Sequence, residues 1–209
     1  TEMMDIKQIE CDISVASDDI AVIFHDESLR RMTGDPRSVL SVSSGELVTI
    51  PLISPFRSVT QYIPTAIDWM QEASRHGLFM HLEIKVHDQE FRRAVDAALR
   101  AFDGSGLTKD HVRFSSFSFE AIKYLTSIRP ELSLGLAVTQ YSEIADRSIE
   151  ELDLESMHLQ VEFVTREHLQ AAQERGLTVC LYTVNELSIL DDLPLQAIEA
   201  VFTDDPVTL

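Results

Sequence analysis

Two cysteines in 209 residues are too few for a disulfide scaffold. Cys11 and Cys180 both sit in apolar, strand-like runs, where a buried, reduced thiol is the expected state. That usage fits a reducing compartment, so a cytoplasmic location is expected; a signal peptide encoded upstream of Thr1 would lie outside these residues. Basic residues are also scarce: 17 Lys and Arg stand against 35 Asp and Glu, a net charge of −18. Nucleic acid is therefore excluded as a partner, because phosphate backbones are bound by basic stripes. An anionic small molecule is not excluded, provided a bound cation reverses the local sign. No apolar run approaches the ~20 residues that span a bilayer, so no membrane insertion is expected. Glycine is sparse, and no glycine-rich phosphate turn follows the first strand-like run. This argues against an open dinucleotide-binding sheet.

What is present is an alternation of short apolar runs with amphipathic segments. The strand-like runs are Ile9–Ser14, Leu78–Lys85, Val112–Ser115, Ser133–Ala137, Met157–Leu159, Thr178–Leu181 and Ala200–Phe202. A further extended run, Ala21–Phe24, follows the first across the turn-like Ser17-Asp18-Asp19. Between them the helices carry readable ends. Thr65 with Asp68 has capping-box spacing and Gly77 closes that helix. Asp88 leads a segment with Phe91, Val95, Leu99 and Phe102 on one face, Ser118 leads Ile122, Leu125 and Ile128, and Thr165 caps a helix ending at Gly176. Strand and helix in alternation imply parallel βα units. The count is about seven of the eight units of a (β/α)8 TIM-type barrel. Residues 1–209 are read as a single domain.

One connection is too long. From Asp26 to Ile63 no strongly periodic segment occurs, whereas βα loops usually run about 2–6 residues. The expectation is a structureless insertion over 26–63, following the strand that ends in His25 and serving as a lid or binding loop.

The chemistry-bearing residues follow from the period of two along a strand. Glu10 and Asp12 share one face of the first strand, while Ile9, Cys11 and Ile13 share the other. In the same way His81, Glu83 and Lys85 share a face, opposite Leu82 and Ile84. Three carboxylates on the polar faces of two strands form a reasonable oxygen cage for Mg2+ or Ca2+. Lys85, at the strand end, could hold an anionic group. A salt-bridged cluster, Glu83 with Lys85 for example, is the equally weighted alternative. His25-Asp26 ends an apolar strand, where an imidazole is placed for acid/base work, although a lone histidine is more often structural. His87 follows Lys85 in a loop with no geometry that the sequence fixes. His81 reads as an interior histidine, and His76, His111 and His168 as surface residues. The acid excess is uneven: residues 141–209 hold 15 acidic and 3 basic residues, which reads as a solvated surface.

Several stretches together resemble the glycerophosphodiester phosphodiesterase family. They are Ile9-Glu10-Cys11-Asp12-Ile13, the run from Val22 through His25-Asp26 to Thr33, Ile63-Pro64-Thr65, and Leu82-Glu83-Ile84-Lys85. Ser115-Ser116-Phe117, Leu181-Tyr182-Thr183-Val184-Asn185 and Phe202-Thr203-Asp204-Asp205-Pro206 complete the series, in the family's order. The resemblance covers the chain from about Gln8 to Pro206. It implies a TIM-type barrel with a small insertion after the His25 strand. It further implies Glu10, Asp12 and Glu83 as divalent-metal ligands and His25 as one of two catalytic histidines. Lys85 would lie at the phosphate, Phe117 would form an apolar wall near the glycerol, and Tyr182 stands where many members carry Trp. The implied reaction is metal-dependent hydrolysis of a glycerophosphodiester to glycerol 3-phosphate and an alcohol. The family's opening His-Arg-Gly strand and Pro-Glu-Asn-Thr helix start do not occur in these residues. The chain is therefore expected to be one βα unit short, with Thr1–Lys7 fitting the end of the helix that follows. Two further readings stand beside the enzyme: a non-catalytic metal- or phosphate-binding barrel, and a related phosphodiesterase that cleaves phospholipid head groups.

Overall fold

The structure is a computed structural model that describes residues 6–53, 59–141 and 150–206. They pack as two compact units, one over Ile6–Arg113 and the other over Phe114–Leu209.

In the first unit β1 (Gln8–Val15) lies between two partners. It pairs antiparallel with β2 (Ala21–Ile23) and in parallel with β3 (Phe79–Ile84). The β1–β2 hairpin turns through Asp19, whose φ of 62° is one that Asp adopts more readily than most residues. Arg93, from the helix Phe91–Ser105 far along the chain, closes this turn, donating to the Asp19 carboxylate and, at 2.7 Å, to the Ala16 carbonyl.

The residues after β2 depart from expectation. The insertion is not structureless: it contains α1 (Arg30–Thr33), a 3-10 turn at Val39–Ser41 and α2 (Ser44–Leu47). Its apolar residues Leu29, Val39, Val42, Leu47 and Ile63 pack with Ala16, Val22 and Phe24 into a separate buried cluster. Backbone bonds from Leu29 to Arg37 and from Val39 to Glu27 hold the segment together. The Asp18 carboxylate anchors it by accepting from the Ser44 amide and hydroxyl. Irregular spacing of the apolar residues hides this core from any periodicity, yet burial of about 1.5–3 kcal/mol per large side chain is enough to fold it.

Next, α3 (Ala66–Arg75) starts at Thr65, whose hydroxyl oxygen accepts from the Asp68 amide, and the chain leaves it through Gly77 at φ 66°. α4 (Phe91–Ser105) buries Val95, Leu99 and Phe102 as the pattern implied. It begins later than its expected cap: Asp88 accepts from the Glu90 amide in a preceding turn, and Glu90 occupies the cap position.

β4 (Val112–Ser116), of which the second unit holds Phe114 onward, pairs in chain order with β5 (Leu134–Val138), β6 (Ser156–Gln160), β7 (Thr178–Tyr182) and β8 (Ala200–Val201), all parallel. α5 (Phe119–Ile128) is capped by Ser118. α6 (Arg166–Glu174) has a full capping box between Thr165 and His168. Ile128, placed on the buried face by its spacing, is 40% exposed, because the helix ends there. Gly135 is required where it stands: a Cβ would come within 2.6 Å of Ser156 Oγ and 2.8 Å of His158 Nε2.

Of Thr1–Lys7, only Ile6 and Lys7 fall among the described residues, and neither is helical. No helix among the described residues is long and apolar enough to cross a membrane.

Candidate active site

The β1–β3 register decides which carboxylates meet. Asp12 stands opposite Glu83, and Glu10 opposite His81. With side chains alternating along each strand, one oxygen each of Glu10, Asp12 and Glu83 lies within 4.8 Å of the others. The opposite face of β1 supplies the fixed base. Cys11 and Ile13 are buried there, and the Trp69 indole donates to Cys11 Sγ at 3.2 Å. Burial pushes the Cys11 thiol up, so it stays protonated and takes no part in the chemistry.

Lys85 continues the line of β3, its amide donating to the Ile13 carbonyl at 2.9 Å. Its ammonium lies 2.6 Å from Glu83 Oε1 and 3.6 Å from Asp12 Oδ1. Burial opposes the lysine's charge, but the charges of Glu83 and Asp12 outweigh it and push its pKa up. Glu83 is pushed up too, chiefly by burial and secondarily by the like charge of Asp12, while Lys85 and His25 pull the other way. The salt-bridged arrangement is thus present, a lysine ion pair inside a cluster of three carboxylates. One ammonium leaves the three carboxylates two negative charges in excess when all are ionised. A hard divalent cation matches both that charge and the all-oxygen donor set, so the residues fit one.

His25 follows β2, which is pinned by the Ile23 amide on Pro64 and the Phe24 amide on Asp12. Its side chain is 58% exposed, and Nδ1 lies 2.7 Å from Asp26 Oδ1. Arg31 grips the same carboxylate with two bonds, 2.6 Å from Nε and 2.9 Å from a terminal nitrogen. That guanidinium, with His25, holds the Asp26 carboxyl down to about 2. An ionised Asp26 only accepts, so His25 Nδ1 carries the proton and Nε2 carries the lone pair. The Arg31 brace was not legible in sequence, although Arg31 lies only five residues beyond Asp26.

His81 is an interior histidine, as expected, with Nε2 2.9 Å from Gln8 Oε1. His87 differs from expectation, because its loop position is fixed. Nε2 lies 2.8 Å from the hydroxyl of buried Ser14. Ser14 continues the polar face of Glu10 and Asp12, and that period of two was the available signal.

In the second unit Phe117 and Tyr182 meet edge to face, with centroids 5.8 Å apart. Phe117 is 44% exposed. The Tyr182 hydroxyl donates to the Val138 carbonyl at 3.0 Å. Asp204 is tied to Asn185: its amide donates to Asn185 Oδ1, and its carboxylate accepts from Nδ2.

Comparison with known sequences settles the family, since the profile of the glycerophosphoryl diester phosphodiesterase family matches residues 4–208. The chain belongs to this family. It is thereby a phosphoric diester hydrolase by class, and the resemblance in the motifs holds over almost the full length. Among solved structures, it is similar to an Oleispira antarctica phosphodiesterase in complex with the product sn-glycerol-3-phosphate. That protein is 24% identical, with a TM-score of 0.86 over 97% of this chain and 83% of the other. A glycerophosphodiester phosphodiesterase from Parabacteroides distasonis is 18% identical, with a TM-score of 0.77 over 94% and 79%. The Bacillus subtilis protein YqiK, described as uncharacterized, is 23% identical over 95% of this chain and 83% of its own. The fold is thus the TIM-barrel type of the phosphodiesterase family, with mixed α/β order as read from the strand pattern.

Proposed function

We propose that the chain hydrolyses glycerophosphodiesters to glycerol 3-phosphate and an alcohol, with Mg2+ or Ca2+ held by Glu10, Asp12 and Glu83 and with His25 in acid/base catalysis. The observation that carries this reading is the three-carboxylate cluster within 4.8 Å, with the Lys85 ammonium against two of its members. The Oleispira protein's product, sn-glycerol-3-phosphate, supports the substrate class.

A cation bound by the three carboxylates would neutralise phosphate charge and polarise a substrate oxygen. The chain's own residues supply the rest. Lys85, partly buried and protonated, offers an ammonium to a phosphate oxygen. His25 works at Nε2, exchanging a proton with an oxygen on phosphorus while Asp26 and Arg31 keep the ring in one tautomer. Phe117 and Tyr182 offer apolar ring surface for the glycerol part; their support is the family resemblance and their paired, partly exposed rings. The insertion over 26–63 serves as a binding loop whose own core holds it in shape. The family match through both units supports reading 1–209 as one catalytic domain. The two reduced cysteines support a cytoplasmic location.

The test is release of glycerol 3-phosphate from glycerophosphocholine, followed with excess chelator and then with added Mg2+ or Ca2+. Cation-dependent release is expected. Binding of metal and substrate without release would instead favour the non-catalytic barrel.

A further inference from the structure

We propose that Lys85 is the resident counter-ion of the carboxylate cluster and passes to the substrate phosphate when a divalent cation binds. The inference rests on the cation and phosphodiester reading above. The Lys85 ammonium lies 2.6 Å from Glu83 Oε1 and 3.6 Å from Asp12 Oδ1, and only 15% of its side chain is exposed. Asp12 and Glu83 are also two of the three carboxylates whose oxygens gather within 4.8 Å of one another. The ammonium and a cation therefore draw on the same two side chains. A doubly charged ion attracts those oxygens more strongly than a single ammonium does, and it repels the ammonium itself.

The local structure confines the change to one side chain. The Lys85 amide donates to the Ile13 carbonyl at 2.9 Å. Two residues later, His87 Nε2 lies 2.8 Å from the Ser14 hydroxyl oxygen. Both bonds tie this segment to β1, so its backbone stays in place while the flexible four-carbon stem moves the ammonium. Arg31, whose charge also feels Asp12, is held instead by two bonds to Asp26. Lys85 is the group able to exchange one anionic partner for another.

The exchange links two ligands. A phosphate arriving alone must take the ammonium away from Glu83 before it gains anything from it. Once a cation draws on the carboxylates, the ammonium has lost that partner, and a phosphate oxygen replaces it. Cation binding therefore tightens phosphate binding, and by reciprocity phosphate tightens the cation. Association is ordered, cation before phosphodiester, with Lys85 carrying the coupling between them.

Calorimetry with Ca2+ and with sn-glycerol 3-phosphate, each titrated alone and with the other saturating, reads this linkage without turnover. In the wild type each ligand should tighten the other about tenfold. In Lys85→Gln, Ca2+ alone should bind about tenfold more tightly because its competitor is gone, and the mutual tightening should fall to about twofold. Lys85→Arg should move the cation the other way, about threefold weaker, since a guanidinium fork grips a carboxylate with two bonds. That variant keeps the buried charge, so it carries the test if the glutamine protein does not fold. Unchanged Ca2+ affinity in both variants, or the wild-type degree of tightening in Lys85→Gln, would overturn the proposal and leave Lys85 a fixed phosphate ligand. A wild type that binds no Ca2+ overturns the cation reading and the proposal together. Ca2+ binding in the wild type, with its tightening retained in Lys85→Gln, overturns the proposal alone.

Discussion

In the first unit the polar positions of β1 and β3 carry Glu10, Asp12, Ser14, His81 and Glu83, with Lys85 just beyond. In the second, the corresponding positions of β6 and β7 carry Ser156, His158, Gln160, Thr178, Cys180 and Tyr182. The backbone pattern is the same, parallel strands with one apolar face and one polar face, but charge is concentrated in one unit only. The neutral groups of the second unit find partners locally, as Ser156 does with His158 at 3.2 Å and Tyr182 with the Val138 carbonyl. Its acidic residues from Glu150 to Asp205 are all exposed, so they solvate the surface and need no counter-ion. The first unit instead holds two half-buried carboxylates, Asp12 and Glu83, beside the exposed Glu10 and a single lysine, an arrangement that costs stability unless a cation is bound.

The largest effect should come from neutralising one of those carboxylates. Glu83→Gln is expected to lower turnover about 10³-fold and to abolish stabilisation by divalent cations. In the metal-free protein it should leave the melting temperature unchanged or raised, because burial and Asp12 already disfavour the Glu83 charge. A lower metal-free melting temperature would mean that the ion pair with Lys85 outweighs the repulsion.

Leu47→Ala tests whether the insertion carries its own core. Leu47 is fully buried in that cluster, so the substitution should cost about 2–5 kcal/mol in urea unfolding. A cost below 1 kcal/mol would return the segment to a tolerated surface loop.

His25→Ala should reduce kcat about 10²-fold with unchanged unfolding, since the ring is largely exposed. In the second unit Phe117→Ala should act on binding instead. Loss of its contact is worth about 0.5–1.5 kcal/mol, so KM should rise roughly 2–10-fold while cation affinity is unchanged. A changed cation affinity would contradict the division between a charged and a neutral unit.

The smallest effect concerns acid. Asp26 has a folded pKa of about 2 against an ordinary 3.8. Its contribution is fully present above about pH 4 and fades as pH falls toward 2. The melting-temperature difference between wild type and Asp26→Asn should therefore narrow as pH falls below 4.

Period and cap residues made most of this fold legible. Alternation along Ile9–Ser14 and Leu78–Lys85 assigned Glu10, Asp12 and Glu83 to the polar faces of their strands, and the parallel register then sets Asp12 opposite Glu83. Thr65, Ser118 and Thr165 marked helix starts, since a side-chain oxygen at that position answers unpaired amides. Asp88 has the right chemistry too but caps a turn ahead of α4, a distinction set by backbone geometry. The Ser14–His87 bond joins residues 73 positions apart, which no local pattern can report. The core of the insertion was hidden for the opposite reason: Leu29, Val39, Val42 and Leu47 are near in sequence but follow no period, being gathered by short turns.

The central claim is that the carboxylate cluster of the first unit is a working cation site. Its most direct test follows glycerol 3-phosphate release from glycerophosphocholine while Mg2+ or Ca2+ is titrated into chelator-treated wild type and Glu10→Gln. Saturable restoration in the wild type, with little or none in the variant at the same cation concentrations, is the predicted result. Equal rates with and without excess chelator, or equal restoration in the two proteins, would contradict it.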